Sequence, residues 1–242
     1  MDNRRQFLQR SLQLSLWSIL AGAGTTALLG SRAQAQLLGR VPDGLPPGQS
    51  VYELQGEVMV DGQRADMTTL ITPDSLIRTG SNSYIIFVVG RDAYILRENS
   101  ELQLESEGLL ATGLRLLTGK VLSVFGEREP EARLQMNTGI ATIGIRGTGL
   151  YAEAHDDRSY VCTCYGLTEL AAAAHPEQTE RVAARYHESR YVLREPENGQ
   201  LIVQAPFINH TDEELALIES LVGRQPPFNL MRQDYQGPRR RY

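Results

Sequence analysis

The chain has 242 residues, 24 of them Lys or Arg and 29 Asp or Glu, for a net charge of −5. An acidic surface repels a phosphate backbone, so nucleic acid is excluded as a partner class, and the triplet Arg239-Arg240-Arg241 is too short to reverse this. The length allows one domain with a substantial core plus appendages, or at most two small domains.

The first residues read as an export signal. Arg4-Arg5 and then Phe7-Leu8 precede a mildly apolar run from Leu12 to Leu29, followed by Ser31-Arg32-Ala33-Gln34-Ala35. A charged start, an apolar middle and a small-x-small cleavage site at Ala33 and Ala35 make a secretory signal. Paired arginines followed by Phe-Leu mark its twin-arginine form. Gln13, Ser15, Ser18, Gly22, Gly24, Thr25 and Thr26 dilute the apolar run, so a cleaved signal is expected, with a retained N-terminal membrane anchor as the alternative. Cleavage after Ala35 places the protein in the periplasm, makes the twin-arginine export machinery a partner, and removes four arginines against one aspartate, leaving a more acidic body. Residues 36–50, with Pro42, Gly44, Pro46, Pro47 and Gly48, read as an extended linker.

From Val51 the texture becomes short β-prone runs split by turns. Val51–Leu54 and Gly56–Val60 lead to the hairpin signal Asp61-Gly62. Thr69-Leu70-Ile71, the turn Thr72-Pro73-Asp74, and Ser75–Thr79 follow. Tyr84–Val89 returns through Gly90-Arg91-Asp92 to Ala93–Leu96. Leu102–Glu105, Leu114–Leu117 and Gly119–Gly126 keep the rhythm. Many short strands and no long helical periodicity predict an all-β fold, a sandwich or stacked β-roll of antiparallel strands.

Within Leu134–Tyr151, Gly139, Gly144, Gly147 and Gly149 interrupt apolar β-formers, as at bulges, bends or close backbone approaches. Gly144-Ile145-Arg146-Gly147-Thr148 lacks the ending of a phosphate loop, and Arg146 is expected to pair structurally with a carboxylate. Ser159–Ala174 reads as one strand continuing into a second, with Thr179–Arg194 as a partner across a turn at His175-Pro176-Glu177. Thr211-Asp212-Glu213-Glu214 is a capping box with acidic residues where the helix dipole favours them. Leu215, Ile218, Leu221 and Val222 form one apolar stripe, Gly223 is a stop, and Pro226-Pro227 blocks continuation.

The segment from Gly56 to Tyr151 resembles the FecR domain of bacterial envelope proteins. The likeness lies in Gly56–Gly62, in Ile77–Ser83, in Asp92–Leu102 and in Ala141–Thr148, where Gly144, Arg146, Gly147 and Thr148 close the motif. The resemblance implies a non-catalytic all-β domain facing the periplasm, of the kind that relays a signal from an outer-membrane receptor to a cytoplasmic sigma factor. An export signal stands here in place of the cytoplasmic region and single span of those regulators, so the chain is similar to a free-standing exported member. The organisation expected is a signal over 1–35, a linker over 36–50, a FecR-like β domain over 51–151, a β extension over 152–208, a helix over 209–228 and a flexible tail over 229–242.

Chemistry concentrates at Cys162-Thr163-Cys164. On a strand, residues i and i+2 share a face, so the two sulfurs lie side by side. Three readings stand open: packed thiols, a small-ring disulfide suited to an oxidising compartment, or two ligands of a zinc or copper site completed by histidines. Among the four histidines, His155 and His175 sit in polar turns, which leaves His187 and His210 as the better ligands. Glu98 with Glu101, or Glu105 with Glu107, could pair as glycosidase carboxylates, but alternating acids on a strand are usually a solvated face. The sequence therefore predicts a non-catalytic sensory or interaction module binding an envelope protein or glycan. The alternatives are a metal-binding or thiol-redox protein and, less favoured, a cell-wall glycan enzyme.

Overall fold

The computed structural model describes residues 44–106, 111–128 and 134–227. The export-signal residues Arg4, Arg5, Phe7, Leu8, Ala33 and Ala35 and the C-terminal tail lie outside them. Fourteen strands join in one sheet: β1 (Val51–Gln55), β2 (Val58–Val60), β3 (Gln63–Arg64), β4 (Leu76–Thr79), β5 (Tyr84–Val89), β6 (Asp92–Leu96), β7 (Glu101–Ser106), β8 (Ala111–Val124), β9 (Leu134–Asn137), β10 (Ala141–Ala154), β11 (Arg158–Ala172), β12 (His175–Ala184), β13 (Glu188–Glu197) and β14 (Gln200–Gln204). Among the described residues one helix, α1 (Asp212–Leu221), follows. The pairings are antiparallel apart from β8 with β9, which run parallel.

Strands β8, β10 and β11 are the long ones, at 14, 14 and 15 residues, and they organise the fold. Each bends at a glycine with positive φ: Gly119 at 84°, Gly147 at 56° and Gly166 at 87°. Before its bend, β8 pairs with β7 and β9; beyond it, with β6 and β10. Strand β11 changes partner in the same way, from β13 to β12. Bends of this kind let one strand serve two layers, and the sheet wraps into a barrel-like core with further strands around it. Inside lie Ile77, Leu102, Leu104, Leu114 and Leu116 from one side and Ile85, Phe87, Leu96, Val121 and Leu150 from the other, all buried.

The opposite face of β5, β6, β8, β10 and β11 is buried as well. Alternation places Ile86, Ala93, Ile95, Leu122, Val124, Tyr151, Tyr160, Cys162 and Cys164 there, beneath Leu215, Ile218 and Leu221 of α1. Burying each of these three helix side chains contributes about 1.5–3 kcal/mol. A ten-residue helix is marginal alone in water, so this packing is what makes α1 a helix. Its start is the expected capping box: Thr211 N–H donates to Glu214 at 2.9 Å and Glu214 N–H to Thr211 Oγ1 at 3.3 Å. Gly223, at φ 72°, ends it.

Other expectations meet corrections. Thr69-Leu70-Ile71 forms no strand, because the Asp66 carboxylate gathers the Thr68 amide and the Thr68 and Thr69 hydroxyls into a local turn. The turn after β11 is Ala173-Ala174, and His175 opens β12 instead. The helix is shorter than 209–228, since 209–211 are the entry and cap. Strand β10 runs through residue 151, so 51–151 and 152–208 share one sheet. Arg146, expected to pair with a carboxylate, is exposed at the bend of β10, outside the ion pairs formed among the described residues. Two of the glycines in 134–151 do as expected: Gly147 takes a positive φ at the bend, and a Cβ at Gly149 would lie 2.5 Å from the Tyr165 ring.

Candidate metal centre

Cys162 and Cys164 both face the helix side of β11, as their spacing requires, while Thr163 between them turns to the other face and hydrogen-bonds Thr168 at 2.6 Å. Both cysteines are free thiols and fully buried. His187 stands at the end of the turn from β12 to β13, in the left-handed region at φ 29°, with its N–H donating to the Cys164 carbonyl at 3.0 Å. A non-glycine residue there costs of order 1–3 kcal/mol and persists where its surroundings demand it. His210 is the residue just before the helix cap, and it too is fully buried.

These four side chains converge. Cys162 Sγ lies 3.6 Å from His187 Nδ1, Cys164 Sγ lies 3.4 Å from His210 Nε2, and the two imidazole nitrogens are 3.2 Å apart. One ligand atom from each of the four falls within 4.8 Å of all the others. The far nitrogens are engaged as well: His187 Nε2 is 2.7 Å from Asp212 Oδ1, and His210 Nδ1 is 2.8 Å from the Ile208 carbonyl oxygen. Carboxylate and carbonyl acceptors behind imidazoles fix the tautomer that turns the other nitrogen toward a metal.

The surroundings hold the constellation. Tyr151 stacks on His210 with ring centroids 4.4 Å apart and planes 22° apart, and Phe207 sits 4.4 Å from the His187 ring and 4.6 Å from His210. The Tyr160 hydroxyl ties the 206–208 segment down through Pro206 O at 3.0 Å and Ile208 N at 3.2 Å. Buried Glu153 accepts from Tyr151 Oη and Asn209 Nδ2, each at 2.7 Å, and Arg97 donates to both Glu214 oxygens and to the Asn209 carbonyl. The helix entry is thereby fastened to β6 and β10 by charge-assisted bonds.

Electrostatics follow from the packing. Burial pushes the Cys164 thiol well up, and the neighbouring Cys162 sulfur pushes it further. Cys162 moves the other way: burial opposes ionisation, but Cys164, His187 and His210 outweigh it. As a pair, the first proton leaves easily and the second is retained. Burial pulls His187 down, yet Asp212 and Cys162 raise it to about 9. A divalent cation bound here would supply the charge that lets both thiols ionise and both imidazoles stay neutral.

The four side chains form a donor set that could bind a metal ion. Two thiolates and two imidazoles would be enough to complete the tetrahedral shell of a structural metal such as zinc. Two thiolate charges cancel Zn²⁺, which suits a site out of contact with solvent. The remaining histidines stand apart: His155 bonds Glu153 at 2.8 Å and is 42% exposed, and exposed His175 lies 3.2 Å from Glu177. The acidic candidates are occupied locally, Glu98 by the Asn82 amide, Glu101 by Arg78 and Glu105 by Arg115, while Glu107 lies outside the described residues. Asp212, Phe207 and Tyr151 are the functional neighbours that sequence reasoning missed. Asp212 was read only as a helix-dipole residue, although its place two residues after His210 was a usable signal.

No family model matches the chain, and no curated protein matches it. Two solved structures of a Parabacteroides distasonis ATCC 8503 protein, provisionally named an anti-sigma factor, are similar at 13% and 14% identity. Each has a TM-score of 0.44 and covers 54% of this chain and 58% of its own. The chain thus spans somewhat over half the length of the structures it matches.

Proposed function

We propose that this protein is an exported, non-catalytic β module of the periplasm whose second core is organised by a structural zinc ion bound to Cys162, Cys164, His187 and His210. The observation that carries this reading is the convergence of four soft donor atoms within 4.8 Å, with an acceptor behind each imidazole. A closed site buried under a helix stabilises a scaffold and offers no coordination position for a reaction. The scaffold would present its sheet to an envelope protein or glycan, a reading that rests on the FecR-like sequence segments and the leader-like N terminus. Elemental analysis of protein purified without added metal tests the centre: one zinc per chain is expected, falling to near zero in Cys162→Ser and His210→Ala. Wild-type zinc content in both variants would refute it, and copper in place of zinc would change the ion and leave the ligands standing. Crosslinking of the purified protein in envelope extract tests the scaffold role, which fails if no partner is recovered under several chemistries.

A further inference from the structure

We infer that α1 is the gate of the metal centre: zinc enters and leaves only when the helix and its entry segment lift from the sheet, so helix docking and metal retention are one coupled equilibrium. This rests on the zinc reading above and concerns how that site is regulated.

The ligands are divided between two bodies. Cys162 and Cys164 belong to β11 at the centre of the sheet, flanked by β10 and β13, and His187 hangs from the turn bonded to Cys164. His210 and the supporting Asp212 belong to the helix start, 46 positions after Cys164 in the case of the histidine. Metal binding therefore cross-links the sheet to the helix.

The walls of the site are of the same two kinds. Tyr151 and the cysteines are sheet residues with paired backbones, and they cannot part without breaking the main ladder. Phe207, Ile208, His210 and Asp212 belong to the segment leading into α1. That segment and α1 are held by side-chain contacts, among them the Tyr160 hydroxyl, the Asn209–Glu153 bond, the Arg97–Glu214 ion pair at 2.8 Å, the Tyr165–Glu219 bond, and the apolar stripe of Leu215, Ile218 and Leu221. The side chain of His187 has no solvent exposure and that of Asp212 has 11%, so a chelator has no route to the ion while the helix is seated. Lifting the helix removes His210 and Phe207 together and opens the three remaining ligands.

Linkage makes the coupling reciprocal: whatever weakens docking must weaken metal retention, and removing metal must loosen the helix. Zinc-loaded full-length protein mixed with excess chromogenic chelator reads the first arm. Ile218→Ala, which removes a helix side chain and no ligand atom, is expected to release zinc at least about tenfold faster than wild type, with stoichiometry still one ion per chain. Ile218→Val should fall between the two and serves if the alanine variant folds poorly. Leu104→Ala, an equally buried truncation in the barrel core, should release zinc at the wild-type rate. Hydrogen exchange reads the second arm, with faster exchange at amides 212–221 after chelation and slow exchange retained in β7 and β8.

Equal release rates in wild type and both Ile218 variants would overturn the gate and point to the turn carrying His187. Acceleration by Leu104→Ala as large as by Ile218→Ala would overturn it as well, showing that release needs global unfolding. Absence of stoichiometric zinc from the wild type would remove the metal reading and the gate with it, a failure distinguishable from the other two.

Discussion

The two cores share one sheet and are built by different physics. The barrel core is mostly aliphatic, with Ile77, Leu102, Leu104, Leu114 and Leu116 beside Ile85 and Leu150 and the rings of Phe87, Tyr94 and Phe125, and its stability comes from area removed from water. Buried polar groups occur on both sides, Asp92 beside Tyr94 among them, but the core beneath α1 gathers Glu153, His187 and His210 with Tyr151, Tyr160, Cys162 and Cys164. Buried polar groups cost stability unless every one is satisfied. A chain that needed only to hold a helix on a sheet would do so with leucines. The polar content of the second core is explained if it serves an ion.

The largest test of that contrast is removal of the ion. Cys164→Ser should abolish stoichiometric zinc and lower stability by about 5 kcal/mol or more, because binding energy at a structural zinc site is folding energy. Denaturant unfolding with zinc present measures it, and a cost under 1 kcal/mol would break the contrast. Next comes Leu104→Ala in the barrel core, which should cost about 2–5 kcal/mol. That cost should be the same before and after chelation, since the residue lies outside the coupled unit.

Asp212→Asn sharpens the picture within the second core. The amide keeps the size of the side chain and loses the charge that orients His187, so zinc affinity should fall about 10- to 100-fold. Competition titration against a chelator reads this, and unchanged affinity would reduce Asp212 to a helix-dipole residue. The smallest effect is that of pH on Glu153. Burial disfavours its charge, but hydrogen bonds from Asn209, Tyr151 and His155 and the Lys120 charge outweigh burial and hold the carboxyl below its ordinary range. A carboxyl lowered in the folded state contributes stability above its unfolded pKa, about 4, and that contribution is lost as pH falls through the folded value. Glu153→Gln should be less stable than wild type at pH 7, with the difference narrowing in acid; parallel stability curves would contradict this.

Much of this was legible in the residues. The capping box at Thr211 and Glu214 and the stop at Gly223 are local signals, and they reappear as written. Asp61 and Gly62, both with positive φ, make the expected hairpin turn between β2 and β3. The shared face of Cys162 and Cys164 follows from strand parity, and exclusion of the turn residues left His187 and His210 as partners. Other features depend on long-range placement. Nothing local shows that β11 continues unbroken through Gly166 while exchanging β13 for β12, and the same holds for β8 at Gly119. Spacings of 25 residues from Cys162 to His187 and 46 from Cys164 to His210 carry no zinc-motif signature, because the fold and not the chain closes the site.

A tetrahedral zinc joining the sheet to the helix is tested by X-ray absorption at the zinc edge on the purified wild-type protein. Two sulfur scatterers at about 2.3 Å and two nitrogen scatterers at about 2.0–2.1 Å are expected, with one sulfur lost in Cys162→Ser where any metal remains. A first shell of oxygen and nitrogen alone, or protein without a stoichiometric metal, would contradict it.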